Sequence, residues 1–134
     1  MKHYYAVIDT NVIVSALLSR NRQSPTVALL DLILAKIIIP VYDEEILDEY
    51  RDVLSRDKFH FDAERIAKAL NAIRAGLCVD RTLVDWEFPD KDDAVFFEVA
   101  MSVDDAYLVT GNTRHFPQAS KVVTPAEMLK IILA

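Results

Sequence analysis

Four stretches of the sequence place oxygen-bearing side chains where a sheet or helix would present them. The first is Tyr4-Tyr5-Ala6-Val7-Ile8-Asp9-Thr10-Asn11, an apolar run that stops in a carboxylate, a hydroxyl and an amide. The second is the acid-rich segment holding Glu44, Glu45, Asp48, Glu49 and Asp52. The third is Asp90-Lys91-Asp92-Asp93, and the fourth is Thr110-Gly111-Asn112, again after an apolar run. Such oxygens are hard donors that suit Mg2+ or Mn2+. An ion of that kind binds a phosphodiester, lowers the pKa of a water and stabilises the departing oxygen. The single cysteine, Cys78, excludes an internal disulfide and any zinc site built from several thiolates.

Helical phase selects among the acids. At about 100° per residue, Ile46, Tyr50 and Val53 form an apolar stripe with Glu49 at its edge. Asp48, Asp52 and Glu44 point away and read as a solvated face. Glu49 is therefore the acid placed to look into a crevice, with Glu45, one turn earlier, in reserve. Asp93, Phe96, Phe97 and Ala100 share the i, i+3, i+4, i+7 spacing, so one aspartate heads a core-facing stripe, where an ionised acid needs compensation. Each acid has a plainer role open to it. Asp9 would cap the helix that follows, and Asp92 or Asp93 would cap theirs. Thr110 and Asn112 stand at a strand end, where they would orient a water or phosphate, or form an ordinary turn with Gly111. His115 reads as a loop histidine rather than a ligand.

The elements that must position these groups alternate. Strands are expected at Tyr4–Ile8, at 37–41, at Ala106–Thr110 and at 121–123. Leu77-Cys78-Val79 is either a short strand or an extended connection. Helices are expected after Thr10 or Asn11, after Ser24-Pro25, after Asp43, from Asp62 to a stop at Gly76, from Asp92 or Asp93 to about Val103, and after the capping box Thr124-Pro125-Ala126-Glu127. Residues 80–92, with Trp86-Glu87-Phe88-Pro89, show no period. Strand–helix alternation predicts a three-layer α/β/α fold around a central parallel sheet with right-handed crossovers. In such sheets the site lies in the crevice outside the strand ends, which is where Asp9 falls.

The 134 residues fit one domain, and 52% hydrophobic content supplies its core. Two glycines and five prolines argue against disorder. No signal peptide and no run long enough to span a bilayer is expected, and the lone cysteine fits a cytoplasmic setting. The net charge of −6 is awkward for an enzyme that must neutralise phosphates. Bound metal or a basic partner protein would offset it.

The ordered set of motifs resembles the PIN-domain ribonucleases, and among them the toxin component of VapBC-type toxin–antitoxin pairs. It runs from Val7-Ile8-Asp9-Thr10-Asn11 through Glu45 to Leu54 with Arg56 and Phe59, Asp90 to Ala100, Ala106 to Asn112, and Thr124-Pro125. The resemblance covers essentially the whole chain, 1–134, as one PIN domain. It implies that Asp9, Glu49 and Asp93 are the catalytic and metal-binding acids for Mg2+ or Mn2+, supported by Thr10 and Asn11. Family members often carry a fourth acid where this chain has Asn112, which puts a tight second metal in doubt. The implied activity is endonucleolytic RNA cleavage leaving a 5′-phosphate and a 3′-hydroxyl. The implied partners are an RNA substrate, a small antitoxin that covers the site, and a second copy in a homodimer.

Two other readings compete. Asp9 at a strand end would serve an aspartyl phosphoacceptor, but no second acid follows it within two residues and no lysine follows the Thr110 strand. A catalytically silent binding module acting through a protein partner would tolerate Asn112.

Overall fold

Asp9 and Thr110 become neighbours because the two strands that precede them pair in parallel at the middle of the sheet. The computed structural model describes residues 2–81, 88, 91–117 and 120–134, and for residues 91 and 92 the backbone only. Strand β1 (Tyr4–Ile8) lies between β2 (Ile38–Tyr42) and β4 (Ala106–Val109); β3 (Leu77–Cys78) and β5 (Val122–Val123) form the edges. The order is β3-β2-β1-β4-β5, and every pairing is parallel. The register sets Ile8 beside Val109, so the residues that follow them emerge side by side. The chain builds outwards from β1 on one side and returns to begin the other at β4. The gap between β1 and β4 is therefore the topological switch point of the sheet, where α/β folds hold ligands.

Among the described residues six helices flank the sheet: α1 (Thr10–Leu18), α2 (Pro25–Leu34), α3 (Glu44–Leu54), α4 (Ala63–Arg74), α5 (Lys91–Met101) and α6 (Pro125–Leu133). This is the expected α/β/α arrangement. Val7, Val41, Leu108 and Val109 are fully enclosed, as strands covered on both faces require. The expected caps form at Asp43, which accepts from the Ile46 N–H at 2.9 Å, and at Thr124, whose capping box with Glu127 is complete. Among the described residues, no helix is long and apolar enough to cross a membrane.

The structure also amends several expectations. The cap of α1 is Asp9, in the plainer role open to it, ahead of the expected start after Thr10 or Asn11. Gly76 does follow the end of α4, but not as a left-handed cap, since its φ is not positive. A Cβ there would run into the carbonyl oxygen of Pro40, so glycine is needed for close approach between β3 and β2. Leu77-Cys78 is a strand, paired to Val41 and Tyr42. Helix α5 ends at Met101, where the Lys121 ammonium donates to the carbonyls of Ala100 (2.7 Å) and Val103 (2.9 Å). Asp90, most of the aperiodic Trp86–Pro89 segment and the side chain of Asp92, the other reserve acid, lie outside the described residues.

Candidate active site

The carboxyl end of β1 delivers Asp9 into a nearly closed environment. Its Oδ2 accepts a 2.7 Å hydrogen bond from the hydroxyl of Thr110, which follows β4 and is fully buried. The Thr110 oxygen in turn accepts from the Asn112 backbone N–H at 3.0 Å. A hydroxyl has one proton to give, so the N–H from Asn112 directs that proton at Asp9. Among the described residues both hydrogen-bond partners of Asp9 are neutral, and its second oxygen receives a long 3.5 Å approach from the Asn11 N–H. Among the described residues, Asp9 has no ion pair.

Glu49 reaches the same place from α3. Its Oε2 accepts from the hydroxyl of Thr10, the first residue of α1 and the neighbour of Asp9. The next residue, Tyr50, anchors the helix: its hydroxyl donates to the carbonyl of Ile8, and its ring stands 6.3 Å from that of Phe96 on α5. Burial raises the Tyr50 phenol well above its ordinary pKa, and the charges of Asp9 and Glu49 raise it further. Glu49, the acid that helical phase sets at the edge of the stripe, is thus the one joined to Thr10. Asp48 and Asp52, assigned to the solvated face, pair in solvent with Arg51 and Arg56. A cavity of about 240 Å³ opens between α3 and α5, with Glu45 and Glu49 on one wall and Val95 and Phe96 on the other.

Asp93 lies in the first turn of α5, and its carboxylate meets His115 Nδ1 at 3.3 Å. His115, expected to be a bystander, belongs to the short helical turn Thr113–His115 that follows Asn112. Two pairings, Asp9 with Thr110 and Glu49 with Thr10, therefore share one strand end, while Asp93 pairs with His115 of the loop beyond β4. Among the described residues, no three His, Cys, Asp or Glu side chains stand together as a ready metal cage. The donors are nevertheless all oxygens, and Mg2+ is commonly held by one or two carboxylates with waters and substrate phosphate completing its shell.

A second acid group went unnoticed in the sequence. Arg81 contacts Asp43 at 3.2 Å, Glu45 at 3.0 Å and Glu98 at 3.3 Å. The approach to Glu98 is ionic: the Arg81 Nε is buried and too oblique to hydrogen-bond. The Glu45 hydrogen bond keeps the guanidinium above its ordinary pKa despite the opposing effect of burial. Glu45, the reserve ligand, is thus committed to a clamp that ties the start of α3 to α5. The only trace of this in the sequence is Glu98 itself, a lone acid inside the apolar run Phe96–Ala100.

The PIN domain family model matches residues 5–114, from the first strand to the loop beyond Asn112. The chain belongs to the PIN domain family. PIN domains are generally nucleases that act on RNA or DNA. No curated protein and no solved structure matches the chain. In this PIN domain, then, a buried carboxylate held by neutral donors sits at the switch point of the sheet, next to a second carboxylate on α3.

Proposed function

We propose that this PIN domain, residues 1–134, is a Mg2+- or Mn2+-dependent endoribonuclease and the toxin of a toxin–antitoxin pair. The supporting observation is the Thr110 hydrogen bond to Asp9 at the switch point, with Glu49 joined to the same strand end through Thr10. Asp9, Glu49 and Asp93 would hold the ion, and Thr10, Asn11, Thr110 and Asn112 would support them. The bound ion supplies a more acidic water and charge neutralisation at the phosphate. The chain's own contribution is to keep Asp9 fixed. Thr110 can only donate to it, and the Asn112 N–H prevents that hydroxyl from turning away. Tyr50 fixes α3 against β1, so that Glu49 cannot drift from Asp9. A basic antitoxin covering the acids would suit the net charge of −6, and a cytoplasmic homodimer fits the same reading.

The deciding experiment is cleavage of labelled total RNA with Mn2+, with EDTA, and with Asp9→Asn. Cleavage that needs both the ion and Asp9 supports the reading; metal-dependent cleavage retained by Asp9→Asn overturns it. The lack of a three-acid cage among the described residues, together with Asn112, favours one alternative, a catalytically silent module acting through a protein partner. That module would gain no thermal stability from Mn2+, whereas a native site that binds the ion must be stabilised by it.

A further inference from the structure

A second surface of the molecule has the opposite electrostatic character. Between α1, α2 and α4 runs a groove of about 440 Å³. Its rim carries Arg20, Arg22, Arg65 and Lys68 against one acid, Asp31. The whole chain has 15 Lys and Arg against 21 Asp and Glu, so this concentration of cations runs against its composition. The floor is apolar, with Leu17 and Leu30 among its residues.

Arg65 is not a loose surface cation. It donates to the Leu17 carbonyl at 2.8 Å and lies 5.9 Å from the centroid of the Phe61 ring. That contact joins the groove to a stacked aromatic pair. Phe59 and Phe61 are half-buried, with ring centroids 5.2 Å apart and planes inclined by 11°. Between them His60 adopts a left-handed backbone with φ 52°, which turns the chain so that the two rings face each other. The Lys58 ammonium lies 5.1 Å from the Phe59 centroid. Cations spaced along a groove and flat rings beside them are the two parts from which single-stranded nucleic-acid sites are built.

The groove also has a direction. Thr10, which binds Glu49, and Leu17, which floors the groove, are seven residues apart on α1 and so share a face. They are roughly 10 Å apart along the helix. We infer that the groove and the Phe59–Phe61 pair form a track for single-stranded RNA, with phosphates on Arg20, Arg22, Arg65 and Lys68 and bases against the rings, leading towards Asp9 and Glu49. The inference rests on the nuclease reading for its occupant. An acidic peptide would match the cations but would give no use to the stacked rings.

The test measures binding apart from cleavage. A short fluorescein-labelled single-stranded RNA is titrated by anisotropy against the Asp9→Asn protein, with and without Arg22→Glu plus Lys68→Glu, over a range of salt. Both substituted side chains are exposed, so the fold should be kept. The expected result is a loss of affinity of at least about tenfold and a salt slope shallower by roughly 1.4, two phosphate contacts at about 0.7 each. Phe61→Leu, which keeps apolar contact but removes the ring, should weaken binding with the slope unchanged. With Asp9 intact, the double variant should raise KM and leave kcat alone. Unchanged affinity and slope in the double variant overturn the track, as does equal affinity for a duplex of the same sequence. Capture of an acidic helical peptide by the groove, with RNA binding unaffected, assigns it to a protein partner instead. RNA bound through the groove but never cut would leave the track standing and remove the nuclease reading.

Discussion

Asp9 and Asp43 stand at the carboxyl ends of adjacent parallel strands, each 7% exposed and each the N-cap of the helix that follows. Their surroundings differ in the cap bond and in the charge of the nearest partner. Asp43 has a tight cap bond of 2.9 Å and a guanidinium at 3.2 Å. Asp9 has a long cap bond of 3.5 Å and a neutral hydroxyl at 2.7 Å. A buried carboxylate is expensive without compensation, and only Asp43 has its counter-charge built into the described residues. Asp43 is thereby a structural acid. Asp9 is held in position with no counter-charge among the described residues, which is the condition for receiving a cation from outside.

The comparison breaks most readily at Asp9. Asp9→Asn keeps the size and the ability to accept from Thr110 while removing the charge. Cleavage should fall to background, with the melting temperature unchanged or slightly raised. Asp43→Asn should do the reverse: about 1 kcal/mol or more of stability lost with the weakened cap and ion pair, and activity per folded molecule largely kept. Urea unfolding and RNA cleavage on the same preparations check both. Equal activity losses would remove the distinction between the two acids.

Arg81→Met comes next in size. Breaking a fully buried pair from one side costs about 3–5 kcal/mol, but Arg81 is 24% exposed and Glu45 is mostly in water, so roughly 2–3 kcal/mol is expected. The same clamp ties α3, which carries Glu49, to α5, which carries Asp93. Arg81 is thus a positioning residue, and kcat should fall further than the unfolded fraction explains. Arg81→Lys, restoring charge without the fork, should recover part of the stability. If Arg81→Met unfolds at the wild-type urea concentration, the clamp is not what compensates Asp43.

These two clusters also mark how far the sequence could be read. Asp9 was legible because an apolar run ending in an acid is a strand-end pattern, and Glu49 because its phase against Ile46, Tyr50 and Val53 singles it out. Both signals are local and periodic. Arg81 was not legible: it sits in an aperiodic stretch, and its partners Asp43, Glu45 and Glu98 come from two other elements that only the fold brings together. Gly76 is legible as a stop for α4, but the need for glycine there is not, since close approach to Pro40 depends on strand pairing that sequence does not encode locally. Tyr50 looked like one more apolar residue of a stripe; that its hydroxyl meets the Ile8 carbonyl follows from how α3 docks.

Thr110→Val sharpens the comparison at smaller scale. It keeps the shape of the side chain and removes the short hydrogen bond that orients Asp9. Loss of such an orienting partner typically costs 10–100-fold in metal affinity or activity, so cleavage should drop by about that range. The Asn112 N–H also loses its acceptor, at a cost of about 1 kcal/mol. Thr110→Ser, which keeps the hydroxyl, should restore most of both.

Asn112→Asp should have the smallest effect and the most diagnostic sign. The hydrogen bond from residue 112 to Thr110 uses the backbone N–H, so the substitution leaves the hold on Asp9 intact. What it adds is one negative charge on an exposed side chain just beyond β4. If the strand end takes a cation, that charge should tighten Mn2+ binding, so that the ion raises the melting temperature further in the variant than in the wild type. Without the ion the added charge sits at the N-cap of the turn that carries Arg114 and His115, so the metal-free variant should melt close to the wild type. A variant stabilised equally with and without Mn2+ would mean that residue 112 does not share the field of Asp9. The charge left open at Asp9 would then have to be met from the α3 side alone, through Glu49.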